Sequence, residues 1–178
     1  MPELPEVETT RRGIEPYVVG RTVARLVVRN PALRWRVTPK LAREISGQTI
    51  RSVTRRGKYL LLATDSGTAL LHLGMSGSLR VTDCKQPAEK YDHVEIALNT
   101  GQCLRLRDPR RFGAVLWTAQ DPARHKLLQD LGPEPLGEDF HGDYLYAKSR
   151  RRKGAIRDFL MNTRIVAGIG NIYANEAL

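Results

Sequence analysis

The first six residues, MPELPE, set one proline beside two carboxylates. Removal of Met1 would leave Pro2 with a free secondary amine next to Glu3 and Glu6, so that an amine and two acids share one site. An α-amino group titrates at about 7.7–8.0, and a useful fraction is therefore neutral and nucleophilic near neutral pH. A secondary amine that attacks a sugar C1′ forms an iminium ion with no N–H proton to lose. This positive electron sink acidifies the neighbouring C2′ hydrogen, and elimination follows. The plainer alternative is that Pro2 and Pro5 only precede and start a helix, and the six residues alone do not decide between the two.

The elements around this segment follow from pattern. PEVETTRRGIEPY, from Pro5 to about Tyr17, predicts a helix, with proline suited to the first turn and Glu6 and Glu8 at the positive end of the dipole. Gly20 ends it. Val, Leu and Thr then dominate from Thr22 to about Asn30 and from Ile50 to Leu73, and the turn Asp65–Gly67 separates KYLLLAT from TALLHLG as a hairpin would. HVEIALN and QCLRLRD, joined around Thr100 and Gly101, predict a second hairpin, with FGAVLWT as a further strand. Short strands closed by Gly and Asn turns imply antiparallel sheets packed as a sandwich or partial barrel. After Thr118 the pattern changes to one short helix ended by Gly132 and Pro133, and the domain boundary is expected near 132–140. The remainder predicts two helices, a turn at Gly168–Gly170 and a further helix ending at Leu178, as expected of a fragment.

Lys and Arg number 29 against 19 Asp and Glu, a net charge of +10. That balance favours a polyanionic partner, nucleic acid or an anionic membrane surface, with a solvated basic protein as the bland alternative. No apolar run reaches the roughly 20 residues needed to span a bilayer, and the N-terminus lacks a basic then apolar leader, so a cytoplasmic protein is expected. Cys84 and Cys103 form no CxxC pair; neither a zinc site nor a disulfide can be read from them, and both are taken as reduced thiols, Cys103 buried in a strand. The run KSRRRKGAIR supplies six cations in ten residues, a natural phosphate-contacting stretch.

MPELPEVETTRRGIEP, RRGKYLLL, HLGMSGSLR, DPRRFGAVLWT, LGPEPL and VAGIGNIYANEAL, in this order, resemble the formamidopyrimidine-DNA glycosylases across essentially the whole chain. The resemblance implies an α+β fold: an N-terminal antiparallel β-sandwich with flanking helices at 1–135, then the start of a helical, helix–two-turn–helix DNA-binding domain at 136–178. It implies excision of oxidised purines from damaged double-stranded DNA and strand cleavage at the resulting abasic site, by a monomer that needs no cofactor for catalysis.

By motif, Pro2 would be the Schiff-base nucleophile, Glu3 the general acid that protonates the opened sugar, Glu6 a supporting acid, and Lys58 a proton donor and phosphate contact. Met75, Arg110 and Phe112 would fill the gap left by an extruded base, which costs a few kcal/mol to flip out. Arg152, Asn171 and His72 would contact DNA, Asn171 together with nearby backbone N–H groups on a phosphate. Without the resemblance, Lys58 would read as a charge at a strand entry, Met75 and Phe112 as core or loop residues, Arg110 as a solvated charge and His72 as a buried, hydrogen-bonded histidine.

Three departures accompany the resemblance. Tyr91 stands where a DNA-contacting histidine is common. MNTR at Met161–Arg164 replaces a segment more often written with Asp and Lys. The family's four-cysteine zinc finger, with its structural zinc and an arginine for the second elimination, is not among these residues, so weak DNA binding is expected of this stretch alone. A sister branch acting on oxidised pyrimidines and a non-catalytic DNA-binding module are the rival readings; Pro2, Glu3 and Lys58 together speak against the module.

Overall fold

The computed structural model describes residues 2–178; Met1, whose removal the amine chemistry needs, lies outside the described residues. Helix α1 (Leu4–Val18) has Pro5 in its first turn, and the Glu6 carboxylate accepts the Glu3 N–H at 2.9 Å, satisfying a donor that a helix start leaves orphaned. Its apolar stripe, Leu4, Val7, Ile14 and Val18, is buried. The helix runs one residue further at each end than its pattern predicts.

Eight strands follow in two antiparallel sheets. One has the order β1 (Val23–Val28), β6 (Asp92–Leu98), β7 (Gln102–Arg107), β5 (Ser78–Asp83); the other has β2 (Ser52–Arg56), β3 (Tyr59–Ala63), β4 (Thr68–His72), β8 (Ala114–Thr118). The hairpins β3–β4 and β6–β7 turn where the sequence places them. β8 pairs with β4, so the chain changes sheet between β4 and β5 and again between β7 and β8. The shared core takes Val53, Leu60 and Leu62 from one sheet and Val94, Ile96, Leu104 and Leu106 from the other, with Val7 and Ile14 of α1. The fold is α+β, with the expected sandwich and flanking helices.

Two elements lie outside the sequence reading and one differs from it. Helix α2 (Pro39–Ile45) buries only Leu41 and Ile45, too brief a pattern to stand out. β5 alternates Leu79 and Val81 with Ser78, Arg80 and Thr82, and its pairing with β7 makes it a strand. The short helix expected between Asp121 and Gly132 is a single 3₁₀ turn, Pro122–Arg124. Leu128 is buried against Leu61 and Leu70 of the second sheet, with Leu131 packed beside them, and this docking overrides helix propensity.

Beyond it lie α3 (Gly142–Ser149), α4 (Ile156–Met161) and α5 (Asn171–Glu176), around a small core of Phe159, Leu160, Ile165 and Ala174. Backbone bonds tie this part to the rest: Gly132 N–H to Thr163 O at 2.8 Å, Ala167 N–H to Pro133 O at 2.9 Å and Leu4 N–H to Gly168 O at 3.1 Å. Among the described residues no helix is long and apolar enough to cross a membrane.

Candidate active site

The N-terminal segment ends against the start of α5. Glu3, 1% exposed, points its carboxylate at that helix terminus: Oε2 accepts the Gly170 N–H at 2.8 Å and the Tyr173 N–H at 3.2 Å, and Oε1 accepts the Ile172 N–H at 2.8 Å. Unpaired N–H groups and the positive end of the dipole stabilise a carboxylate there. Three backbone donors flanking Asn171, the Gly170, Ile172 and Tyr173 N–H groups, are thus taken by Glu3. Asn171 itself is exposed at the first position of α5. Glu6 is exposed and accepts from the Tyr173 hydroxyl at 3.1 Å. Burial would raise its pKa, but the bonds from backbone and Tyr173 outweigh it and hold the carboxyl below its ordinary value.

Lys58 reaches the same place from the β2–β3 turn. A Cβ built on Gly170 would lie 2.5 Å from Glu3 Cδ and 2.7 Å from Lys58 Nζ, so both side chains converge on a point only glycine leaves open. Desolvation pulls the half-buried Lys58 below the usual lysine pKa, against the opposing pull of Glu3 and Glu6. Glu134 fixes the turn: it accepts from Gly57 N–H at 2.7 Å, Arg55 at 2.6 Å and Arg56 at 3.0 Å. Gly57 has φ +57°, a left-handed turn that spares the backbone a Cβ. Pro2, half-buried, directly precedes Glu3 in the chain.

A cleft of about 790 Å³ is lined by Leu33, Arg34, His72, Met75, Arg110 and Phe112, and the Lys58 charge acts on its His72. Tyr59, next to Lys58, pairs with His72 across β3–β4, their rings 4.8 Å apart. His72 Nδ1 accepts the Gly74 N–H at 2.9 Å, which leaves its proton on Nε2. Burial, then Arg34 and Lys58, push its pKa down to about 4, so it is a neutral donor. Met75 and Phe112 are 41% and 43% exposed, large apolar side chains on the surface, and the Arg110 guanidinium stacks 4.9 Å over the Phe112 ring. The three residues expected to form a wedge are thus brought together on two loops.

Asp108, fully buried, braces those loops, accepting from the Ser76 hydroxyl at 3.0 Å and the Gly113 N–H at 2.7 Å. Gly74, at φ +66°, lets the loops touch, since a Cβ there would meet Phe112 carbonyl carbon at 2.4 Å. Arg34, Ser76, Asp108, Glu134 and Tyr173 escaped the sequence reading. The DP of DPRRFG was a visible signal for Asp108, whereas the other four reach the site only through tertiary contacts.

Arg152 is exposed in the basic run, its guanidinium 5.4 Å over Phe159, and Arg150 and Lys148 lie over Tyr146 and Tyr144. The aromatic rings hold these cations in place, facing solvent. Tyr91 immediately precedes β6, its ring under Lys90 and Arg107, and its carbonyl accepts the Asp108 N–H at 3.0 Å. Among the described residues the one His/Cys/Asp/Glu grouping close enough to share a metal ion is Cys84, Glu95 and Cys103. Two guanidinium groups bind its carboxylate, and it does not fit a four-cysteine zinc site.

Two family models match this chain, the formamidopyrimidine-DNA glycosylase N-terminal domain over residues 1–115 and the formamidopyrimidine-DNA glycosylase H2TH domain over 131–178. The chain belongs to the formamidopyrimidine-DNA glycosylase family. It is 57% identical over 178 residues to the formamidopyrimidine-DNA glycosylase of Thioalkalivibrio sulfidiphilus and 58% identical to that of Stutzerimonas stutzeri. All of this chain and 66% of each relative are covered, so the chain spans just under two thirds of their length. A Lactococcus lactis Fpg mutant in complex with a Fapy-dG containing DNA superposes with a TM-score of 0.92 at 35% identity, over 99% of this chain and 66% of that one. Lactococcus lactis Fpg bound non-covalently to an AP site containing DNA gives 0.89 at 34% identity, over 99% and 68%. In glycosylase terms, the Glu3–Lys58–Gly170 cluster lies where the two matched regions meet.

Proposed function

We propose that the protein is a DNA glycosylase and apurinic/apyrimidinic lyase that excises oxidised purines, 8-oxoguanine and formamidopyrimidines, from duplex DNA in base excision repair. The observation that carries this reading is the convergence of Glu3 and Lys58 on Gly170, one residue from the Pro2 nitrogen and adjoining the wedge cleft. Pro2 nitrogen attacks C1′ of the extruded nucleotide, and the bond to the damaged base breaks with its electrons on the base. The proline N–H proton, made acidic when the attack leaves the nitrogen positively charged, then moves through the neighbouring Glu3 carboxylate to O4′, which opens the sugar and leaves an iminium ion. Loss of a C2′ proton expels the 3′ phosphate, and a second elimination expels the 5′ phosphate, with Lys58 as proton donor and phosphate partner.

Glu6, bonded to the Glu3 N–H and to Tyr173, keeps the segment fixed during these steps. Amine and carboxylates suffice for the chemistry, and zinc in the longer relatives is assigned a structural role in a C-terminal finger. His72, Arg152 and Asn171 contact the DNA backbone, with Tyr91 a neutral contact beside them; Met75, Arg110 and Phe112 occupy the gap. The reading divides the chain at 135/136, between the last strand, which ends at Thr118, and α3, which starts at Gly142. It takes the enzyme to be a cytoplasmic monomer. Borohydride should trap the full-length protein on DNA carrying 8-oxoguanine or an abasic site, and Pro2→Gly should weaken trapping. Undiminished trapping by a protein with an acetylated N-terminus would overturn the mechanism.

A further inference from the structure

Cys103, fully buried in β7, stands opposite Thr82 of β5. Cys84 follows two residues after Thr82, and its N–H still bonds to Gly101 O at 2.9 Å, so the two thiols share one face of one ladder. Their sulfurs and a Glu95 carboxylate oxygen all lie within 4.8 Å of one another. The turn bearing Cys84 is held over Cys103 by Arg105, whose guanidinium donates to the carbonyls of Gln86 at 2.6 Å and Pro87 at 3.1 Å and to Glu95 at 2.6 Å.

We propose that Cys84 and Cys103 form an oxidant-reactive dithiol that closes into a disulfide across the β5–β7 edge. A metal site is the alternative for such a grouping, but Glu95 Oε2 already binds Arg105 and also Arg29 at 3.2 Å, two cations beside the place a third would occupy. Burial, and next the bond to Cys84, push the Cys103 thiol up to about 12, so it stays protonated and does not start the reaction. Cys84, half-buried in a turn, meets the oxidant first.

With a peroxide as oxidant, Cys84 sulfur attacks one oxygen, the O–O bond breaks, and the other oxygen leaves as water with the Cys84 proton. Cys103 sulfur then attacks the Cys84 sulfenic sulfur; the S–O bond breaks and the hydroxyl leaves as water with the Cys103 proton. Two thiols are oxidised and one peroxide is reduced. The pair is independent of the proposed activity.

The test treats the reduced, full-length protein with hydrogen peroxide, blocks free thiols, and maps tryptic peptides without reduction. Segments 81–85 and 91–105 should appear joined, lighter by two hydrogens than their sum, and separate on reduction. In Cys84→Ser, a turn position that does not perturb the core, Cys103 should react at least tenfold more slowly. Oxygen added to Cys84 while Cys103 stays free, oxidation of Cys103 at the native rate in Cys84→Ser, or zinc held at this pair through dialysis and shielding both thiols would each overturn the proposal.

Discussion

Glu3 and Gly170, at opposite ends of the chain, are in van der Waals contact and hydrogen-bonded at 2.8 Å, and the missing side chain of one makes room for the carboxylate of the other. The proposed catalytic geometry at the N-terminus is therefore set by a turn in the helical part.

Gly170→Ala should expel the Glu3 carboxylate and Lys58 ammonium from their shared point. We expect borohydride trapping to fall at least tenfold, with a stability loss of about 1–3 kcal/mol from the displaced hydrogen bonds. Single-turnover trapping beside urea unfolding checks this. Native trapping would mean that the close approach is not needed for the chemistry.

His72 gives a pH signature. Its folded pKa is about 4, below the ordinary histidine value, so between the two the unfolded chain binds a proton that the folded protein refuses. The contribution is absent above pH 6.5 or so, grows as destabilisation on descending, and levels off below about 4. His72→Asn retains an acceptor for the Gly74 N–H and has nothing to titrate, so its thermal midpoint should fall less steeply across that window. Parallel melting curves at a series of pH values would show otherwise.

The exposed wedge separates extrusion from chemistry. Phe112→Ala in the full-length protein should slow excision of 8-oxoguanine paired with cytosine far more than cleavage at a preformed abasic site, where no base has to be flipped. Arg110→Ala should also blur discrimination between cytosine and adenine opposite the lesion, a directed contact worth about 1–3 kcal/mol. Single-turnover rates on both substrates decide it, and equal slowing would remove the wedge assignment.

Motifs that are local in sequence were legible. MPELPE displayed the carboxylates that the fold gathers, the Asp65–Gly67 and Thr100–Gly101 turns fixed two hairpins, and Met75, Arg110 and Phe112 stood out as a group that the fold brings together. What stayed hidden depends on who packs against whom. β5 is a strand because β7 pairs with it, and residues 125–131 forgo a helix because Leu128 finds Leu61 and Leu70. Glu3's bond at the α5 terminus and Glu134's grip on the Lys58 turn join residues 167 and 77 apart in the chain. The nearness of Cys84 and Cys103 followed from strand register, which cysteine spacing does not encode.

The loops carrying Met75 and Phe112 are also two of the three places where the chain passes between the sheets, and they cross in opposite directions. A push on the wedge tip is therefore borne by both layers at once, and through Asp108 each loop leans on the other. A load placed on Met75 or Phe112 therefore passes into both sheets of the sandwich, and the proposed work of prising bases apart would draw on the packing of the core they share.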